Sequence, residues 1–251
     1  MRAGLASKMD ALRYTPVPQH SRLIGALMLL PPQPSHLVQH LKITHDGFVA
    51  AMIQHSDRAT LLKCWRLRHD YFVRQRQWVT PDKSDAELEC DEYDEQAQHL
   101  AVFQEEQVVG YLRVIERGAS CGFMIDHHFR HLVAEENWPL IQQADSIEIS
   151  RLVISKDSLP GEAKIIFLLL FKLLYQLSLQ RDYQHYLIVV EPHWLPLFGR
   201  RFGLDFLPIG PVTPFPDGTL TVAAQAAVTG LENVLFHKNP TLLAWFQTPQ
   251  K

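Results

Sequence analysis

The stretch SIEISRLVISKDSLPGEAKIIFLLLFKLLYQLSLQRDYQHYLIVVEP, residues 146–192, decides the fold. Its two ends read as strands: "SIEISRLVIS" is rich in Ile and Val, and "YLIVVEP" is a short apolar run closed by proline. Between them, "EAKIIFLLLFKLLYQLSLQRDY" is apolar on most sides, which suits a helix packed deep against a sheet. Strand, helix, strand in this order implies a right-handed crossover and parallel pairing of the two strands. The first strand nevertheless carries two charges in its interior, Glu148 and Arg151.

Upstream, "QHLAVFQ" and "VVGYLRVIE" are strand-like and joined by the polar "EEQ", the pattern of a hairpin. From 58 to 78 the period is helical: Leu61, Trp65 and Phe72 share one face, with Asp70 and Arg74 on the other. Downstream, "WLPLFGRRFG" reads as a short helix closed by Gly203. "DFLPIGP" and "TLTVAAQAAV" read as late strands, although an Ala-rich segment also suits a helix, and "NPTLLAWFQ" reads as a terminal helix. The sum is an α/β domain over residues 46–251 with a mixed sheet, antiparallel early and parallel at the crossover. Residues 1–45, rich in Pro, His and Gln and without sustained periodicity, read as a loosely ordered extension.

Composition narrows the function classes. A net charge of -3 over 251 residues gives no electrostatic footprint for a nucleic acid. The three cysteines, Cys64, Cys90 and Cys121, stand far apart, which argues against disulfides and structural zinc and for a cytoplasmic protein. The thirteen histidines are scattered and no HExxH occurs, so no metal is expected. Residues 23–30, "LIGALMLL", are too short to span a bilayer and suit no more than a weak contact with a membrane surface.

The informative anomaly is charge where burial is expected. Arg68 lies three residues after Trp65 and four before Phe72, so it projects from the apolar helix face. An unpartnered guanidinium there costs several kcal/mol, so carboxylates must meet it. In the acidic run Glu89, Asp91, Asp94, the latter two are the nearest candidates. Arg113 poses the same problem inside a strand that is apolar on both faces, and Glu148 and Arg151 pose it again. Such a network marks either an ion-paired core or a functional site.

The order Arg68, Phe72, Trp78, Asp91, Asp94, Arg113, Glu148, Arg151 resembles the hallmark positions of the acyl-homoserine-lactone (autoinducer) synthases, a quorum-sensing family. That family's second Phe corresponds to Phe129, with Phe123 as the other option. "FVAAMIQHSDRATLLKCWRLRHDYFV", "DEYDEQAQHLAVF", "EISRLVISK", "RRFGLDFLPIGP" and the ending "ENVLFHKNPTLLAWFQT" are closer to a sister group, the N-acyl amino acid synthase-like acyltransferases of PEP-CTERM/exosortase systems. The resemblance implies a GNAT-like acyltransferase fold, in which two parallel strands splay and admit a pantetheine arm. Coenzyme A-dependent GNAT enzymes carry Arg/Gln-x-x-Gly-x-Gly/Ala after the first splayed strand. Here Gly161 and Ala163 fit, but Ser158 stands at the Arg/Gln place. That favours an acyl-carrier-protein thioester, with one phosphate, over acyl-CoA as donor.

The implied reaction is transfer of a fatty acyl group to the amine of a small amino acid. The alternative acceptor is S-adenosylmethionine, which would yield a homoserine lactone, and a second alternative is a non-catalytic GNAT-like binding domain. Glu148 is the carboxylate expected to hold or deprotonate the amine, its rival role being a structural pair with Arg68 or Arg151. Glu191 is an alternative base, or merely caps "PHWLPLF". His99 faces the acceptor site or is an ordinary strand histidine. Phe72 and Trp78 are expected to close a lid over the acceptor or acyl chain, tied to the sheet by Arg68, Asp91, Asp94 and Arg113, their rival role being plain core packing. Glu148 and Arg151 share a site only if a bulge breaks strict alternation. Lys156 belongs to the pantetheine loop and, with Lys164, Arg200 and Arg201, offers cations to an acidic carrier protein. The segment "FLLLF", residues 167–171, is expected to wall an acyl tunnel.

Overall fold

The computed structural model describes residues 41–79, 87–215 and 217–249. Most of the proposed extension, including the apolar run 23–30, lies outside them. The elements are β1 (Lys42–His45), β2 (Phe48–Ile53), α1 (Arg58–Arg68), β3 (Gln98–Gln104), β4 (Gln107–Glu116), α2 (Met124–His127), α3 (Trp138–Ile141), β5 (Ser146–Ile154), α4 (Pro160–Arg181), β6 (His185–Val190), α5 (Leu195–Phe202), β7 (Leu207–Pro208), β8 (Thr213–Pro214), β9 (Leu220–Ala227), α6 (Val228–Lys238) and α7 (Pro240–Gln247). The sheet runs β1-β2-β3-β4-β5-β6-β9-β7, with β8 pairing β9. Among the described strands only β5 and β6 pair in parallel, with α4 as their crossover. The mixed sheet flanked by helices is the α/β arrangement expected.

The domain begins before residue 46. Leu41 and Ile43 are buried while Lys42 is exposed, so "LKITH" alternates as a half-buried strand. Asp46 and Gly47 both have positive φ, 48° and 82°, giving the tight turn that pairs His45 with Phe48. This Asp-Gly signal was legible, and the boundary at 45/46 cut through the hairpin it makes.

One face of the sheet carries the main core, built on α4. Leu169, Leu170, Leu173, Leu174 and Leu177 are fully buried, each worth roughly 1.5–3 kcal/mol. Gly110 lets the helix approach β4: a Cβ there would come 2.3 Å from Ile166 Cγ2. The other face is covered by α1, whose Leu61, Cys64 and Trp65 pack on Ala101, Tyr111 and Val153, and by α2 and α3 over Ile115, Leu187 and Ala223. The helix does not end at Arg68. It widens into a π-helical segment, His69–Gln75, in which Arg76 N–H donates to Tyr71 C=O at 2.9 Å, five residues back.

Two irregularities shape the centre. Beta5 and β6 pair only from Ser146↔His185 to Ile149↔Ile188, although both strands run on. Beyond that point they diverge. On its other side β5 pairs Ser150 with Arg113 and Val153 with Tyr111, so two residues, Arg151 and Leu152, oppose Leu112 alone. This is a β-bulge, with Arg151 at φ 55°. It puts Ser150 and Arg151 on the same face as Glu148 and Val153, while Ile149, Leu152 and Ile154 face the main core. The splay and the bulge anticipated from the sequence lie side by side.

Candidate active site

Arg68 and Arg113 are fully buried, and each is matched by two carboxylates. Arg68 donates to Glu89 at 2.5 Å and Asp94 at 2.6 Å. Arg113 donates to Asp91 at 2.5 Å and Asp94 at 3.1 Å. Arg151 donates to Glu89 at 3.0 Å and Asp91 at 2.9 Å. Each carboxylate therefore bridges two arginines, and the six groups close a circuit with no net charge. Each guanidinium also lies over an aromatic ring: Arg68 over Tyr111, Arg113 over Tyr93, and Arg151 over Phe72, at 5.5, 5.6 and 5.4 Å. The arginines hold Glu89 down at about 2, and Asp91 well below the usual carboxylate range, against the opposing push of burial.

The sequence reading named Asp91 and Asp94 as partners of Arg68; the structure corrects this to Glu89 and Asp94, with Asp91 on Arg113 and Arg151. Glu89 is the member that reading passed over. Its backbone N–H is tied to Trp65 C=O, which brings the acidic run under α1. Its signal was proximity: it stands two residues before Asp91 in the same acidic run.

His99 does not face an acceptor. It is fully buried, with Nε2 at 2.9 Å from Asp94 C=O and Nδ1 at 2.7 Å from the Tyr111 hydroxyl, so neither nitrogen is left for a substrate. Asp94 C=O needs a donor, so Nε2 carries the proton and Nδ1 accepts from Tyr111. Burial pushes His99 down to about 4. Arg68, Arg113 and Asp94 are likewise enclosed. Arg151 and Asp91, each 15% exposed in the side chain, form the open corner of the circuit.

Glu148 stands apart. It pairs with neither Arg68 nor Arg151, so the structural pairing weighed for it does not occur. Its Oε2 accepts Met124 N–H at 2.5 Å, at the start of α2. Arg113, on the opposing strand, donates Nη2 to Met124 Sδ at 3.1 Å and Nε to Ser150 Oγ at 2.9 Å. Burial raises the Glu148 carboxyl to about 8, and the hydrogen bonds and Arg113 offset only part of that push. Phe123 immediately precedes the Met124 N–H that Glu148 holds, whereas Phe129 stacks on Phe215 at 5.9 Å.

Glu191 ends β6 but makes no side-chain cap; it accepts from Arg76 Nη2 at 2.7 Å. Arg76 in turn lies 4.0 Å over Trp78, whose ring is 6.2 Å from Phe72. The π-helical segment and Trp78 are thus fastened across the open end of β6. Lys156 lies in a small cleft with Leu67, Asp70, Tyr71 and Val153, beside the end of β5. At the head of α4, Glu162 accepts Leu159 N–H at 2.8 Å, and Ala163 N–H is spent on Leu159 C=O at 2.9 Å; Gly161 faces open space. Among the described residues no group of three or more His, Cys, Asp or Glu could hold a metal ion. Nor is any helix among them long and apolar enough to cross a membrane.

The chain is 28% identical over 165 residues to the isovaleryl-homoserine lactone synthase of Bradyrhizobium diazoefficiens, covering 64% of this chain and 70% of that one. The CoA-dependent acyl-homoserine lactone synthase BjaI, solved with SAM and isopentyl-CoA, superposes with a TM-score of 0.61 at 26% identity, over 72% of this chain and 83% of that one. FeeM, an N-acyl amino acid synthase from uncultured soil microbes, shares the fold, with a TM-score of 0.53 at 17% identity over 74% and 93%. The family model of the N-acyl amino acid synthase FeeM matches residues 63–224, which hold the whole ion circuit, the bulge, the splay and Glu148. The chain therefore belongs to the FeeM family of N-acyl amino acid synthases, acyltransferases homologous to the acyl-homoserine lactone synthases.

Proposed function

We propose that the protein transfers a fatty acyl group from an acyl-carrier-protein thioester to the amine of an amino acid. The observation that carries this reading is Glu148: a buried carboxyl, outside the ion circuit and raised to about 8, on the bulged strand where the splay opens. The amine nitrogen attacks the thioester carbonyl carbon and gives its proton to Glu148, directly or through water. The C–S bond breaks, an amide forms, and the released thiolate takes a proton. Arg151 and Leu152 have no register partner on either neighbouring strand, which suits their backbone N–H groups to the developing oxyanion. Arg151 spends Nε and Nη2 on Glu89 and Asp91, and Nη1 is its remaining donor nitrogen toward the acceptor's carboxylate. Phe72 and Trp78, fastened through Arg76 to Glu191, close the cleft above.

The donor reading rests on the head of α4. Glu162 occupies the first turn with a carboxylate and takes one of the N–H groups that a CoA pyrophosphate would use. A pantetheine arm with a single phosphate asks less of that loop, and its carrier protein would meet Lys156, Lys164 and Arg200 by charge. The three cysteines of the chain are free, which suits a thioester enzyme in the cytoplasm. A second reading, S-adenosylmethionine as acceptor and a lactone product, is favoured by the 28% identity to the isovaleryl-homoserine lactone synthase.

The test is mass spectrometry of lipid extracts from a bacterium expressing the intact chain or Glu148→Ala. It is paired with thiol-release assays on acyl-carrier-protein and CoA thioesters. An acyl amino acid that vanishes in the variant supports the reading; a lactone head group shifts it to the second. No thiol release from any donor and amine leaves a binding domain.

A further inference from the structure

On the main-core side of the splay, where the sequence suggested a tunnel, aromatic rings fill the space. Trp194, 37% exposed in the turn after β6, stacks on Phe198 of α5 at 6.1 Å and 25°. Phe198 faces Phe167 of α4 at 5.9 Å and 24°, and Phe167 lies on Phe202 at 4.1 Å and 24° and on Phe171 at 4.4 Å and 18°. The four phenylalanines are all buried. The rings form a nearly parallel column leading from the surface beside the end of β6 into the core.

The column's depth matches the splay. Helix α4 runs back along the sheet from the end of β5, so Phe167, seven residues in, lies about 10 Å below the helix start. Its neighbour Ile166 lies over Gly110, the register partner of Ile154, so Phe167 stands beside the stretch of β5 beyond Ile149, where β5 no longer pairs β6. Ile149, Ile188, Leu152 and Val190 belong to the same apolar cluster as the rings. The opposite face beneath the splay holds the ion circuit and Glu148, which is no place for a hydrocarbon chain. An acyl tail entering with its thioester must therefore run toward the aromatic column.

We infer that Phe167, Phe171, Phe198 and Phe202 end the acyl chamber and set the upper limit of acyl length. The inference rests on the acyl-transfer reading above. A parallel stack suits that role: its rings close the chamber by face contact, and removing one leaves a void bounded by apolar walls, which stays dry and accepts hydrocarbon. The rings sit on two helices joined to the two diverging strands, so chamber length and cleft opening share one scaffold.

The experiment measures kcat/KM for butanoyl, hexanoyl, octanoyl and decanoyl donors with the full-length chain, Phe198→Ala and the milder Phe167→Leu. Each accommodated methylene is worth about tenfold or more, so the decanoyl-to-butanoyl ratio is expected to rise at least about tenfold in Phe198→Ala and less in Phe167→Leu. Melting temperatures identify which variants fold; if Phe198→Ala does not, Phe167→Leu carries the test. An unchanged ratio in a folded variant overturns the inference. If no donor turns over even in the unaltered chain, the transferase reading fails instead. Binding of non-transferable thioether analogues of the same lengths, measured by calorimetry, then reads the chamber alone, and an unshifted length preference there also overturns it.

Discussion

Glu148→Gln is expected to stabilise the protein progressively as pH rises while sharply lowering its activity. In the folded chain the carboxyl ionises near 8 against an ordinary value of 4.5. Between those values the folded state keeps a proton that the unfolded state has released, so stability falls as pH rises through the interval. Each unit of difference is worth about 1.4 kcal/mol, which makes the loss about 5 kcal/mol once pH passes 8. Glutamine cannot ionise and still offers an oxygen to Met124 N–H. Its own cost, a buried amide N–H pair in place of a carboxyl, does not vary with pH. Urea unfolding of both proteins from pH 4 to pH 9 isolates this one group, because every other titration is common to the two chains. The difference in unfolding free energy should be flat below about pH 4.5, grow through the neutral range and level off above about pH 8. Parallel stability curves would refute the claim that burial, rather than a charge partner, governs Glu148. The activity arm follows from the same value: kcat/KM of the unaltered chain should climb with pH and plateau above about 8, and Glu148→Gln should lose roughly 100-fold or more.

Arg68→Ala should cost about 3–5 kcal/mol, because Glu89 and Asp94 each lose one of two arginines in a dry interior; a wild-type melting temperature would contradict the circuit. His99, held near 4 against 6.5, contributes about 3 kcal/mol that is fully present above pH 6.5 and lost as pH falls toward 4. His99→Asn should therefore flatten the urea midpoint across that window. Lys172 is buried without a hydrogen-bond partner for Nζ, 4.4 Å over Trp245, and burial lowers its pKa. Lys172→Met is expected to gain on the order of 1 kcal/mol after loss of the cation–π contact, read as a raised melting temperature.

Much of the architecture was legible because burial writes itself into periodicity. The crossover, the hairpin of β3 and β4, and the deep helix α4 all follow from apolar runs of the right length. The buried arginines were legible for the opposite reason: Arg68 and Arg113 break patterns that are otherwise apolar. Pairing within the circuit was not legible, since a carboxylate in an extended acidic run can reach several cations, and only three-dimensional closure assigns Glu89 to Arg68 and Arg151. His99 was ambiguous because a strand histidine looks the same whether it lines a cleft or braces a network, and Tyr111 and Asp94 C=O decide it. The Arg76 link to Glu191 joins residues 115 apart in sequence and carries no local signal. The aromatic column was hidden too: "FLLLF" announces an apolar wall, but whether that wall lines a space or fills it depends on Phe198 and Phe202 from another helix.

The circuit and Glu148 explain one another. Four carboxylates, Glu89, Asp91, Asp94 and Glu148, share a small region with three arginines, and the geometry divides them unequally. Three bridge two guanidiniums each, so that each arginine is paired with two acids of the circuit. Glu148, on the strand beside Arg113, is left with a backbone donor and little positive charge. Had it taken a place in the circuit, it would have dropped toward the value of Glu89, near 2, and become too weak a base to draw a proton from an ammonium. Exclusion leaves it near 8, where it can hold that proton. Pushing neighbouring carboxyls apart in this way is how one site makes both a fixed anion and a base. The buried ions are costly as stabilisers, and an apolar substitute could match them in stability. What such a substitute could not do is keep three arginines occupied, hold Arg151 at the cleft's edge, and leave a fourth carboxyl unclaimed beside the splay.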